Sequence, residues 1–194
     1  MSEKVKNKKR FGTRKLTIVG MLSAVSVVLG LTGYGFIPLP FAKATIMHIP
    51  VIIGAIIEGP IVGVLIGLIF GIFSILQNIM APNILSFALI NPLVSVLPRI
   101  FIGLTSYYVY KLVKGKEGTR IIIATIIGSL TNTFGVLTMI YVLYAARYAQ
   151  AKGISASVAA KTIYGIALIN GVPEALIAVI ISVPVILAVK KLRK

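Results

Sequence analysis

The amino-acid sequence predicts an all-α integral membrane protein, a six-helix bundle with both termini in the cytoplasm. Composition is the first observation behind this prediction. Of the 194 residues 58% are hydrophobic and only 12% are charged, and the mean hydropathy is +1.01, whereas about a quarter of an ordinary soluble chain is charged. The second observation is a series of apolar runs, and the third is an uneven distribution of Lys and Arg along the chain. We expect one transmembrane domain over residues 1–194, with residues 1–15 as a basic cytoplasmic segment.

Six apolar runs with few charges follow one another along the chain. A spanning helix needs about 20 apolar residues because each residue rises 1.5 Å. The predicted segments are Leu16–Thr32, Ile46–Ile57, Ile61–Ile79, Ile84–Leu112, Ile121–Tyr144 and Ile163–Val189. The first has no clear cleavage site of small residues, so we expect it to remain as a helix.

The second run is too short to cross a bilayer as a regular helix. Its length from Ile46 to Ile57 gives about 18 Å of helix, against a hydrocarbon core of about 30 Å. Glu58, Gly59 and Pro60 follow, and proline is favoured in the first turn of a helix. We predict a short helix, a tight cytoplasmic turn and a full helix. The alternative, one long kinked helix, conflicts with the distribution of basic residues.

Basic residues are divided unevenly between the two membrane faces. With the N-terminus inside, fifteen of the 20 Lys and Arg residues fall on the cytoplasmic side, and Arg99 lies within a span. The four on the outer side are Lys43, Arg147, Lys152 and Lys161. The positive-inside rule therefore places both termini in the cytoplasm. It also explains the net charge of +16 without nucleic acid as a partner.

The two longest outer connections are expected to be loops. One runs from Gly33 to Thr45 and is rich in Gly, Pro and aromatic residues, and the other runs from Ala145 to Thr162. Either one is placed to close over a site that opens outward.

Small residues recur at four-residue spacing in two segments. Gly59, Gly63, Gly67 and Gly71 form a row that lets another backbone approach closely. Internal packing is the simpler interpretation of this row. In the first segment, Gly20 and Ala24 form a second pair. This pair serves either internal packing or the docking of another membrane subunit.

Polar side chains inside a bilayer are costly, and this makes them candidates for function. Arg99 lies about 22 Å and Glu174 about 18 Å from the outer ends of their segments. They either form an ion pair between helices or face a ligand. Asn91 and Asn170 lie about 10 Å deep, within reach of an outward-facing pocket. Asn132 lies in mid-membrane, where it contacts a ligand or joins helices.

Three further candidates lie near the outer boundary. His48 is expected at the mouth of the second helix, where it contacts a ligand, caps the helix or packs at the interface. Tyr34 and Tyr141 belong to a group of aromatic residues at this boundary, where an interfacial belt is the simpler interpretation.

The sequence offers little for catalysis or metal binding. It has one His and no Cys, which excludes thiolate metal sites and argues against a transition-metal centre. We also find no Gly-x-Ser-x-Gly elbow and no phosphate-binding loop of the Walker type. We therefore expect no enzyme activity and no cofactor, and any coupling to ATP must come from another chain.

Several motifs resemble those of a known family. The run ATIMHIPVIIGAIIEGP at residues 44–60 is followed by the glycine row and by Pro98-Arg99 with Gly103. These features resemble the substrate-binding S components of energy-coupling factor (ECF) vitamin transporters.

The resemblance implies a multi-pass protein of a prokaryotic plasma membrane that binds a vitamin from outside. It would dock on a transmembrane T component that carries two cytoplasmic ATPase subunits. In that family the first helix presents a small-xxx-small motif to the T component, here Gly20 and Ala24, and the loop after it is a lid. Pockets of the family are lined from the outer halves of the last three helices, which implies Asn91, Tyr141, Asn170 and Glu174.

The sequence of residues 44–60 is most similar to that of the pantothenate branch of the family. A carboxylate ligand would suit Arg99 or Lys43; pyridoxine-like vitamins and then riboflavin come next. The alternative function is a stand-alone ion-coupled secondary carrier in which Glu174 is a proton site. A third hypothesis is a scaffold protein without transport activity, which assembles with other membrane proteins through its glycine-rich helix faces.

Overall fold

The structure is a computed structural model that describes residues 12–38, 43–83 and 85–193. The helices are α1 (Thr13–Thr32), α2 (Ile49–Glu58), α3 (Pro60–Met80), α4 (Ser86–Leu89), α5 (Pro92–Ser95), α6 (Leu97–Leu112), α7 (Glu117–Lys152) and α8 (Ala156–Leu192). The strands β1 (Phe36–Pro38) and β2 (Lys43–Thr45) lie between α1 and α2. Within these described ranges five stretches are long and apolar enough to cross a membrane, one of which runs from Pro92 through α6 to Leu112, while α2 is shorter.

A β-hairpin precedes the short helix α2, and a tight turn follows it. Strands β1 and β2 pair antiparallel, with Phe36 opposite Thr45. After α2, Gly59 takes a φ of 105°, a value that favours glycine, and Pro60 starts α3. The predicted short helix, tight turn and full helix are therefore confirmed. The hairpin replaces the loop that the sequence suggested at residues 33–45, of which residues 39–42 lie outside the described part.

We call the end of the bundle with this hairpin and the α7–α8 connection the outer end, following the distribution of basic residues. Ion pairs cluster at the opposite, cytoplasmic end. Glu58 lies 2.5 Å from Arg193 and 3.7 Å from Arg14, so the α2–α3 turn is joined to both ends of the chain. Glu117 lies 2.5 Å from Lys190 and 3.0 Å from Arg120.

The glycine row of α3 packs against α6. A Cβ atom on Gly67 would lie 2.2 Å from the carbonyl oxygen of Arg99, and one on Gly63 would lie 2.9 Å from the Cα of Gly103. These distances leave no room for a side chain, so the two backbones are in close contact. Internal packing is therefore confirmed for Gly63, Gly67 and Gly71, whereas Gly59 lies in the turn with nothing within 4 Å of its Cβ. The contact fixes the start of α6 against the middle of α3.

The fourth apolar run is broken, and the prediction of one helix over it was wrong. Two short helices, α4 and α5, precede α6. Asn91 is extended (φ −70°, ψ 125°), and its side chain accepts a hydrogen bond from the backbone N–H of Leu93. Pro92 explains the break at Asn91, since proline disfavours the helical conformation in the residue before it. Pro98 lies in the first turn of α6, where proline is favoured.

Helices α7 and α8 continue well beyond the predicted segments. They are joined by residues 153–155, so the long outer loop expected from Ala145 to Thr162 was wrong. This stretch is rich in alanine, the strongest helix former. A kink at Tyr144 (φ −138°, ψ 22°) divides α7 near its outer end.

Candidate functional site

A cavity of about 460 Å³ lies in the outer half of the bundle. The hairpin, the outer end of α3, the start of α6 and the middle of α7 and α8 enclose it. Its polar lining residues are Thr45, Ser74, Gln77, Asn78, Asn83, Arg99, Asn132, Thr133, Asn170 and Glu174. Apolar residues such as Phe36, Met47, Phe70 and Leu137 complete the wall. Sites for small polar molecules have this combination of an apolar wall and a few polar groups.

Arg99 is held at the start of α6 by the close contact of its backbone with Gly67. Its side chain is buried, and Nη1 donates to the carbonyl oxygen of Val94 at 2.9 Å. The guanidinium carbon lies 5.5 Å from the ring centroid of Phe70. Nε has no hydrogen-bond partner in the described protein. A buried cation with an unused donor at a cavity wall is suited to an anionic ligand.

Glu174 connects α8 to two other elements of the cavity. Oε1 accepts a hydrogen bond from the backbone N–H of Thr45 at 2.9 Å, and Oε2 accepts one from Oγ1 of Thr133. Among the ion pairs within 4.0 Å in the described ranges, none joins Arg99 to Glu174. The direct ion pair that the sequence left open is therefore not formed, although both side chains line the same cavity.

Asn132 and Asn170 also line this cavity. Asn132 is buried, and its Oδ1 has no hydrogen-bond partner within the described protein. Asn170, on α8 one turn before Glu174, is half-buried. Together with Arg99 and Glu174 they are four predicted side chains that the fold brings to one place.

Four other predicted residues lie outside this lining. Tyr34 is 78% exposed, and His48 is fully buried with Nε2 at 3.0 Å from Oγ of Ser129. The side chain of Asn91 caps the N-terminus of α5, and its Nδ2 donates to the hydroxyl of Tyr144 at 2.8 Å. Tyr141 packs against Tyr164, with ring centroids 6.0 Å apart. The depth of a residue along its helix does not determine which way its side chain points, and these four side chains do not line the cavity.

The cavity also contains polar residues that were not predicted as site residues. Gln77 and Asn78 line it from the outer end of α3, and Asn83 lines it from the segment that follows. Gln77 Nε2 donates to the carbonyl of Gly30 at 2.9 Å, and Asn83 Nδ2 donates to Oδ1 of Asn78 at 3.0 Å. Three side-chain amides within seven residues at the end of an apolar run are the sequence signal that could have identified them. In the described ranges no three His, Cys, Asp or Glu residues form a cluster that could bind a metal ion.

The predicted docking pair lies on the outer surface of the bundle. Gly20 and Ala24 are both exposed on α1, and nothing lies within 4 Å of a Cβ atom built on Gly20. Exposed large side chains, Met21 and Val28, flank them. Of the two readings of this pair, the structure excludes internal packing and leaves a face available to another helix or to lipid.

Comparison with known proteins agrees with this architecture. The family model described as "ECF transporter, substrate-specific component" matches residues 14–189. The pantothenic acid transporter PanT of Lactococcus lactis subsp. cremoris is 29% identical over 196 aligned positions, which cover 92% of this chain and 94% of that protein. The solved structure of ThiT from Listeria monocytogenes has the same fold, with a TM-score of 0.63 and 19% identity over 92% of this chain and 96% of that chain.

These matches confirm the resemblance inferred from the sequence. They identify a multi-pass transport protein of the plasma membrane and not an enzyme. The chain belongs to the family of substrate-specific components of ECF transporters.

Proposed function

We propose that this chain binds pantothenate from outside the cell and, together with a T component and two ATPase subunits, takes part in its ATP-driven uptake. The observation that carries the proposal is the outward cavity lined by the buried cation Arg99, in a chain similar to a pantothenic acid transporter. The predicted site residues in this proposal are the four in the cavity: Arg99, Asn132, Asn170 and Glu174.

The chemistry of pantothenate suits this cavity. Pantothenate has a carboxylate at one end, an amide in the middle, and two hydroxyls beside a geminal dimethyl group. The guanidinium of Arg99 pairs with the carboxylate, and Asn132 and Asn170 bind hydroxyl or amide groups. The apolar wall near Phe36 and Leu137 accommodates the dimethyl group. A volume of about 460 Å³ lies within the roughly 300–1,000 Å³ typical of small-molecule sites.

The energy for uptake comes from partner subunits in this proposal. The chain has no nucleotide-binding loop of its own. The exposed Gly20 and Ala24 on α1 offer a face on which a transmembrane T component, carrying two ATPase subunits, can pack closely.

Two measurements test this proposal. Isothermal titration calorimetry of the purified protein should give submicromolar affinity for pantothenate and much weaker affinity for pyridoxine and riboflavin. Tight binding of another vitamin alone would contradict the assignment of pantothenate. Uptake by the protein alone in liposomes, driven by a pH gradient, would favour the stand-alone carrier. We expect uptake only when the T component, the ATPases and ATP are present.

A further inference from the structure

The outer end of this chain carries exposed positive charge, and the acidic residue nearest to it, Glu174, is buried. The sequence has only four acidic residues, Glu3, Glu58, Glu117 and Glu174. Glu58 and Glu117 lie at the cytoplasmic end in ion pairs, Glu3 belongs to the basic N-terminal segment, and Glu174 is buried in the cavity. Apart from the buried Glu174, the charged side chains expected at the outer end are therefore cations.

Three of these cations are exposed: Arg147, Lys152 and Lys161, which we call the outer rim. None of them takes part in an ion pair within 4.0 Å among the residues that the structure describes. The positive-inside rule disfavours such residues on the outer side. Their presence without compensating acids therefore calls for a reason other than topology.

Two members of the rim belong to helices that line the cavity, Arg147 to α7 and Lys161 to α8. The guanidinium carbon of Arg147 lies 4.7 Å from the ring centroid of Phe87. Phe87 belongs to the segment that includes Leu85 and Leu89, both of which line the cavity. Lys161 precedes the lining residue Ile166 on α8 by about 7.5 Å of helix.

We propose that Arg147 and Lys161 of the outer rim select for an anionic ligand by raising its rate of association with the cavity. This inference rests on the proposed function, because pantothenate is an anion at neutral pH. Charges of one sign at the mouth of a cleft with low-dielectric walls concentrate ligands of the opposite sign.

The position of the rim determines which rate constant it changes. Neither Arg147 nor Lys161 lines the cavity. The bound ligand is held by other groups, so the rim acts on the encounter and not on the bound complex. Neutralising peripheral charges of this kind changes the association rate and its salt dependence.

The test compares the double variant Arg147→Gln/Lys161→Gln with the wild type in nanodiscs of neutral phosphatidylcholine. Lys191→Gln is the control, because it removes a positive charge at the cytoplasmic end. Association and dissociation of radiolabelled pantothenate are measured by rapid filtration at low salt and at about 0.15 M salt. Panthenol, in which an alcohol replaces the carboxylate, is the uncharged probe.

We expect the double variant to bind pantothenate at least about threefold more slowly at low salt, with an unchanged dissociation rate. The control and the association of panthenol should be unaffected, and the difference should shrink at higher salt. The double variant Arg147→Lys/Lys161→Gln keeps one of the two positive charges. Its association rate should therefore lie about halfway between those of the wild type and of Arg147→Gln/Lys161→Gln.

Equal association rates in the wild type and the double variant would overturn the role of the rim, while the proposed function would stand. A change confined to dissociation would overturn it as well. Failure of the wild type to bind pantothenate would overturn both.

Discussion

The backbone N–H of Thr45 donates a hydrogen bond to Glu174 Oε1 at 2.9 Å and so joins the hairpin to α8. The two residues are 129 positions apart in the sequence. Thr45 ends β2, and the hairpin contributes Phe36 and Thr45 to the cavity wall. Glu174 therefore does more than line the cavity, because its carboxylate holds the element that covers it.

Replacing Glu174 should loosen the hairpin. Glu174→Ala removes the acceptor for the Thr45 N–H, and a lost hydrogen bond to a charged group costs about 1.5–3 kcal/mol. We expect pantothenate to dissociate at least about tenfold faster from this variant, as measured by chase with unlabelled ligand.

Glu174→Gln is the matched control for that change. Its amide oxygen still accepts from Thr45, so dissociation should remain closer to that of the wild type. If the Gln and Ala variants dissociate equally fast, the negative charge matters and the bond to the hairpin does not.

Arg99 should determine the preference for a carboxylate. Arg99→Gln removes the cation, and we expect pantothenate affinity to fall about 10- to 100-fold, the equivalent of about 1.5–3 kcal/mol. Affinity for panthenol should change much less, since panthenol has no carboxylate. Calorimetric titration of both ligands checks this, and an equal loss for both would mean that Arg99 supports the fold and does not select the ligand.

The cost of burying polar groups explains why part of the site is predictable from the sequence. Arg99, Asn132, Asn170 and Glu174 stand out in apolar runs, and all four line the cavity. Counting residues along a helix gives the depth of a side chain, but the direction depends on how the helices pack. For this reason His48, which lies at the start of the second helix as predicted, contacts Ser129 with its side chain and does not line the cavity.

The packing of α3 against α6 should tolerate no side chain at Gly67. In Gly67→Ala the new Cβ would lie 2.2 Å from the carbonyl oxygen of Arg99, so the helices must separate. We expect a loss of about 1–3 kcal/mol in stability, seen as a lower thermal unfolding midpoint in detergent, together with weaker pantothenate binding. Gly165→Ala, on α8 with nothing within 4 Å of its Cβ, is the control and should be neutral or slightly stabilising. Equal effects of the two variants would contradict the close contact.

The exposed face of α1 should be needed for transport and not for binding. Ala24→Leu adds bulk beside Gly20, which prevents close approach of another helix. We expect uptake by the full complex to be lost while pantothenate affinity stays within about twofold, because Ala24 lies outside the cavity. Met21→Leu, an exposed position that is already large, should have no effect. Parallel loss of uptake and binding in Ala24→Leu would contradict this separation.

The fold was predictable from the sequence where Gly and Pro residues mark the ends of helices. Glu58, Gly59 and Pro60 predict the α2–α3 turn because Gly and Pro have specific roles at helix ends. The same reasoning applied to Pro92 predicts the break at Asn91, although the apolar character of the fourth run favours one continuous helix. Polar residues among the alanines of residues 145–162 suggested a loop, although alanine favours the helices that form there.

The central claim is that the outer cavity holds pantothenate with its carboxylate at Arg99. A structure of the protein determined with bound pantothenate tests this most directly. We expect the ligand in the cavity beneath the hairpin, with its carboxylate within hydrogen-bond distance of the Arg99 guanidinium and Glu174 still bonded to Thr45. Pantothenate bound elsewhere, or bound with its carboxylate away from Arg99, would contradict the account.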